Sequence, residues 1–176
     1  SPYRFYQFWI NQADADVGRY LRYFTFLEQE EIEALEQAHA EAPHLRQAQK
    51  KLAEEVTRMV HGPDALQGAL RATAALFGGD LRGLDEPTLL EVFEEAPSST
   101  IPRERFGAGA LVDVLAEAGV FSSKGEARRL IRNGGLYLNG ERIDREDFPW
   151  NAECLLTASL AVLRTGKKNY HLLKVQ

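Results

Sequence analysis

The sequence predicts two domains in series, an all-α helical domain followed by a small α+β domain. Three observations carry this. Apolar residues recur at helical spacing through residues 1–95. That period lapses across residues 96–109, APSSTIPRERFGAG, where two prolines, two serines and two glycines mark a linker. Beyond it, from residue 110 to 176, short alternating runs appear and the charge changes sign. Residues 1–101 hold 9 Lys and Arg against 17 Asp and Glu, a net of −8, whereas residues 102–176 hold 12 against 9, a net of +3. The whole-chain charge of −5 hides this segregation, which suits a polyanionic partner for the basic part.

The first ten residues hold Tyr3, Phe5, Tyr6, Phe8 and Trp9, spaced for a helix packed on several sides. Ser1 is placed to cap it, and Pro2 is tolerated in its first turn. So dense an aromatic opening suggests a chain cut from a longer protein. A second helix starts near Asp14 or Asp16, either of which can cap, and runs through Val17, Tyr20, Leu21 and Phe24. A third covers residues 29–40 with Ile32, Leu35 and Ala38 inward, ending before Pro43. A fourth spans residues 44–60 on the stripe Leu45, Ala48, Leu52, Val56, Met59. A fifth opens at Pro63-Asp64, uses Leu66, Leu70 and Phe77, and closes at Gly78-Gly79. A short sixth follows Asp85 and Pro87 on Leu89, Leu90 and Phe93.

Past the linker, helices are predicted over residues 110–118 and 124–133. Strand-like runs follow at residues 136–138, 142–143, 155–156, 161–164 and 170–175. Asn139-Gly140 between the first two is a strong hairpin signal. The expected result is two helices leading into a small, mainly antiparallel sheet.

Several functions are excluded or disfavoured. One cysteine, Cys154, forbids an intramolecular disulfide and suits a reducing, cytoplasmic compartment. No apolar run is long enough for a membrane span. The histidines at 39, 44, 61 and 171 are scattered without metal spacing, so no metal site is expected. No nucleotide-binding fingerprint and no activated nucleophile is present, so no catalytic residue is expected.

The most informative stretch is SSKGEARRLIRNGGLYLNGERI, residues 122–143. Ser122 or Ser123 can cap a helix with Ala127, Leu130 and Ile131 inward; its other face presents Lys124, Arg128, Arg129 and Arg132. Arg164, Lys167, Lys168 and Lys174 form a second basic cluster, with Gly166 turning the chain so that Lys167 and Lys168 sit at a loop tip. Such cations match phosphates. The plainer alternatives are a solvated helix face with ion pairs, and charged protection of a terminal edge strand. Two rival functions stand beside RNA binding as part of a longer protein: a free-standing RNA-binding module, and a helical protein-interaction adaptor docked through the aromatic opening.

SKGEARRLIRNGGLYLNG resembles the RNA-binding motif of the ribosomal-protein-S-four type. SPYRFYQFWINQADADVGRYLRYFTFL, AQKKLAEEVTRMVHG and RTGKKNYHLLKV in turn resemble the C-terminal half of bacterial-type tyrosyl-tRNA synthetases, in order through nearly the whole chain. The resemblance implies a helical anticodon-binding domain at 1–95 and an S-four-like RNA-binding domain at 110–176. It implies tRNA(Tyr) as partner, with Lys124, Arg128, Arg164, Lys167 and Lys168 as RNA contacts and Asp14, or else Asp16, as the anticodon contact. Gly125 and Thr165 stand where some relatives carry a basic residue, which weakens the expected grip. ATP and magnesium would belong to a catalytic domain absent from this chain, which also mediates dimerisation; the chain alone is therefore expected to be monomeric and inactive as a ligase.

Overall fold

The computed structural model describes residues 1–176 and divides into two compact units, residues 1–73 and 74–176. The first is helical: α1 (Pro2–Ile10), α2 (Asp14–Phe24), α3 (Gln29–Glu41), a 3-10 turn (Pro43–Leu45), α4 (Gln47–His61) and α5 (Pro63–Ala75), whose last two residues fall in the second unit. Ser1 caps α1 by accepting from the Arg4 amide at 3.2 Å. The central helix is α4, because it buries two faces. Ala48, Leu52 and Val56 pack with Val17 and Leu21 of α2 and Ile32 of α3, while Ala53 packs with Tyr6 of α1 and Leu66 and Ala69 of α5.

Two expectations fail here for local reasons. The helix predicted over 44–60 is broken at Arg46, which is left-handed (φ 52°). The Arg46 guanidinium explains the break: it donates to the Ile10 and Gln12 carbonyls at 2.7 and 3.1 Å, satisfying groups left open at the end of α1. Asp14 does not cap α2 but is its first residue; Ala13 holds the capping position without a side-chain bond. Phe24, Met59 and Phe77, placed on apolar stripes by spacing, are exposed.

The second unit contains α6 (Glu86–Val92), β1 (Ser98–Ile101), a 3-10 turn (Arg103–Arg105), α7 (Leu111–Glu117), α8 (Lys124–Arg132), β2 (Leu136–Leu138), β3 (Glu141–Arg142), a 3-10 turn (Ala152–Cys154), β4 (Leu160–Thr165) and β5 (Asn169–Val175). The strands form one sheet in the order β1-β5-β4-β2-β3. All pairs are antiparallel except β1 with β5, which is parallel. One sheet face, with Leu136, Leu138, Ala161, Leu163, Leu173 and Val175, packs on Leu111, Leu115, Ala127 and Ile131 of α7 and α8. Trp150, fully buried, completes this core.

The other face is approached by residues 74–95. The Glu86 carboxylate accepts from the Thr157 and Ser159 hydroxyls at 2.7 and 2.8 Å. The Tyr170 hydroxyl donates to the Ala75 carbonyl at 3.2 Å, and the rings of Tyr170 and Phe93 lie 5.1 Å apart. Helical periodicity assigned α6 to the first domain because a period identifies a helix without saying what covers it. The stretch expected as a linker, 96–109, likewise holds β1 with Ile101 buried. A four-residue strand whose partner lies far along the chain leaves no alternation to read. Residues 155–156, expected as a strand, instead form a tight turn in which the Leu156 amide donates to Leu160 O at 2.7 Å.

Candidate nucleic-acid interface

Helix α8 is fixed at both ends. Ser123 caps it, its hydroxyl accepting from the Glu126 amide at 3.2 Å, and the Glu126 carboxylate accepts in return from the amide and hydroxyl of Ser122 at 2.9 and 2.7 Å. Those bonds from Ser122 hold the Glu126 carboxyl below its usual range. At the far end Gly134 adopts φ 67°, a left-handed conformation that favours glycine, and the exposed Arg142 guanidinium lies where a Cβ would project. The following strand enters the hairpin at Asn139 and Gly140, both with positive φ. Asn139 bonds on both sides: its amide nitrogen donates to Cys154 O at 2.8 Å and its side-chain oxygen accepts from the Val162 amide at 2.8 Å.

The cations of α8 are exposed and mostly paired. Lys124 Nζ lies 2.7 Å from Asp113, whose carboxyl it holds below the usual range. Arg128 and Arg132 share Glu146 at 3.5 and 3.4 Å. Arg129 forms no close ion pair, although its charge contributes to holding the Glu126 carboxyl down one turn earlier. These exposed pairs are weak, so a phosphate can replace the carboxylate at small cost.

The second cluster sits on the β4–β5 turn. Lys167 and Lys168 are exposed and meet no carboxylate. The Gly166 amide donates to the Gly135 carbonyl at 2.8 Å, which ties this turn to the α8–β2 junction. Two basic clusters distant in sequence are thereby joined. The plainer reading, in which the lysines shield an edge strand, does not hold, because β5 lies inside the sheet between β1 and β4. Arg164, at the end of β4, places its guanidinium 3.8 Å from the centre of the Tyr137 ring and donates to Gly166 O. Arg142 and Tyr137 escaped sequence reasoning as members of this surface. The Asn-Gly hairpin carries the signal for them, since a two-residue loop sets 137 opposite 142.

The acidic candidates lie in the other unit. Asp14 Oδ1 accepts from Gln49 Nε2 at 2.7 Å, lies 3.0 Å from His39 Nε2 and 3.9 Å from the Arg46 guanidinium. Gln49 and His39 are buried, so a rigid base holds a carboxylate that is itself 59% exposed. The His39 contact is close but not aligned as a hydrogen bond. Asp16 is spent differently, on Arg19 one turn along at 2.7 Å. Cys154 is buried, with its thiol pushed up by that burial, and is unsuited to reaction. No helix is long and apolar enough to cross a membrane.

Comparison with known proteins places these residues among relatives. Residues 88–173 match the family model described as the tyrosine–tRNA ligase SYY-like C-terminal domain, and residues 1–78 match that of the class I tRNA synthetases for Trp and Tyr. The chain is 47% identical over 176 residues to a tyrosine–tRNA ligase of Staphylococcus epidermidis, covering all of this chain and 41% of that protein. It thus spans about two fifths of the length of such relatives. A solution structure of a tyrosyl-tRNA synthetase C-terminal domain is 35% identical, covering 57% of this chain and 99% of its own, with a TM-score of 0.42. A C-terminally truncated mitochondrial tyrosyl-tRNA synthetase of Aspergillus nidulans is 35% identical over 44% of this chain and 23% of its own, with a TM-score of 0.42.

Proposed function

Because this chain belongs to the tyrosyl-tRNA synthetase family, we propose that it is the tRNA(Tyr)-binding C-terminal region of a tyrosine–tRNA ligase. The observation that carries this reading is the bond from Gly166 to Gly135, which unites the basic end of α8 with the Lys167-Lys168 turn. In this role Lys124, Arg128, Arg129, Arg132, Arg164, Lys167 and Lys168 grip the phosphates of the anticodon stem and variable arm. Affinity then comes mainly from counterion release and falls steeply with salt. Shape and unpaired bases supply selectivity.

Asp14 is the group assigned to the anticodon. Its Oδ1 is held from behind by Gln49, leaving Oδ2 to accept from a guanine edge, as a fixed carboxylate does well. Asp16, engaged with Arg19, is the weaker candidate.

The test is binding of this chain to labelled tRNA(Tyr) and to a non-cognate tRNA at two salt concentrations. Salt-sensitive binding that favours tRNA(Tyr) is expected. Preference for ribosomal RNA would instead indicate a free-standing RNA module, and a folded chain that ignores RNA at low salt would sink the proposal. In the same assay Asp14→Asn should erode the preference for tRNA(Tyr) by roughly tenfold, the loss expected for one charged hydrogen bond. An unchanged preference would free Asp14 from the anticodon.

A further inference from the structure

The sheet register sets Arg142 opposite Tyr137, Tyr137 opposite Arg164, and Arg164 opposite Tyr170. Opposed residues share a face, so one row of alternating arginine and tyrosine crosses β3, β2, β4 and β5. Its two ends differ. Tyr170 is covered, its ring against Phe93 and its hydroxyl on Ala75. At the other end Tyr137 and Arg164 are half-exposed and Arg142 is exposed. The Arg164 guanidinium lies over the Tyr137 ring at 3.8 Å, and no carboxylate faces either arginine.

We propose that this open end, Tyr137 stacked with Arg164 and flanked by Arg142, is a stacking site for an unpaired base of RNA. The inference rests on the RNA-binding reading above and adds to it a base contact where only phosphate contacts stand. Three physical points lead there. A guanidinium laid on an aromatic ring is a flat cationic surface, and unpaired bases stack on both aromatic rings and arginine planes. An arginine committed to a carboxylate loses that freedom, and this one is not. The adjacent turn carries Lys167 and Lys168, placed to take the phosphates flanking such a base.

Charge and stacking separate experimentally, because a neutral ring releases no counterions. The probes are a hairpin RNA with an unpaired loop and the same stem closed as a blunt duplex. Tyr137→Ala should weaken hairpin binding by roughly tenfold, the size of one aromatic–base stack, and leave duplex binding and the salt slope unchanged. Tyr137→Trp should restore it. Arg164→Lys keeps the charge but not the plane, and should behave like Tyr137→Ala on the hairpin. Equal loss on hairpin and duplex, or no loss on either, would overturn the stacking site while leaving RNA binding intact. A wild-type chain that binds neither probe would overturn both readings. Thermal melts of each variant guard against misfolding, and Tyr137→Phe supplies a variant with minimal change in packing; it should bind as wild type, and a tenfold loss on the hairpin would count against stacking.

Discussion

Replacing Arg128 and Lys168 together by alanine should weaken binding to tRNA(Tyr) by roughly tenfold or more and flatten its salt dependence by about 1.4–1.8 units of slope. The pair samples both basic clusters, α8 and the β4–β5 turn. Lys168 has no carboxylate to leave, and Arg128 holds Glu146 only at 3.5 Å in an exposed position, so neither contact with phosphate is offset by a strong internal pair. Each lost phosphate contact removes about 0.7–0.9 from the slope. Filter binding across a salt series reads both quantities. If affinity falls with the slope unchanged, the two cations do not meet phosphates. If neither moves, they lie outside the interface.

The largest effect on stability is expected at Trp150. Its side chain is fully buried in the core under the sheet, 5.7 Å ring to ring from Phe106. Its carbonyl accepts from the Gly107 amide at 2.8 Å, so the chain near 107 and 150 is one packed corner. Trp150→Ala should cost about 3–5 kcal/mol, the usual loss for truncating a buried aromatic. A domain of this size holds about 5–15 kcal/mol in all, so the second unit should be close to unfolding. Trp150→Phe should cost less, because it also removes an indole N–H that has no partner. Urea denaturation followed by circular dichroism measures both. A loss below about 1 kcal/mol for the alanine variant would show that Trp150 contributes little to the core.

What was legible in the sequence is what local chemistry writes. The Ser1 cap, the Ser123 cap and the Asn139-Gly140 hairpin each sit within a few residues of the groups they satisfy, and all three appear in the structure. What was illegible depends on distant partners. The break at Arg46 comes from carbonyls at 10 and 12; β1 exists because β5 receives it; α6 joins the second unit through Thr157, Ser159 and Tyr170. The site divides in the same way. Composition exposes the lysines and arginines, but not that Glu146 claims two of them, nor that Arg164 lies on Tyr137.

The parallel seating of β1 against β5 also bears on how the two units acquire their structure. In the helical unit successive helices pack on one another through α4, and most contacts can form soon after their own segments coil. In the sheet unit residues 98–101 must wait for residues 172–175, with α7, α8 and three other strands lying between them in the chain. Closing so long a loop costs entropy before any pairing repays it, and non-local topology of this kind slows folding. The sheet unit is therefore the slower of the two to mature, and until β5 is in place the edges of β1 and β4 that it covers stand open to pairing with other chains.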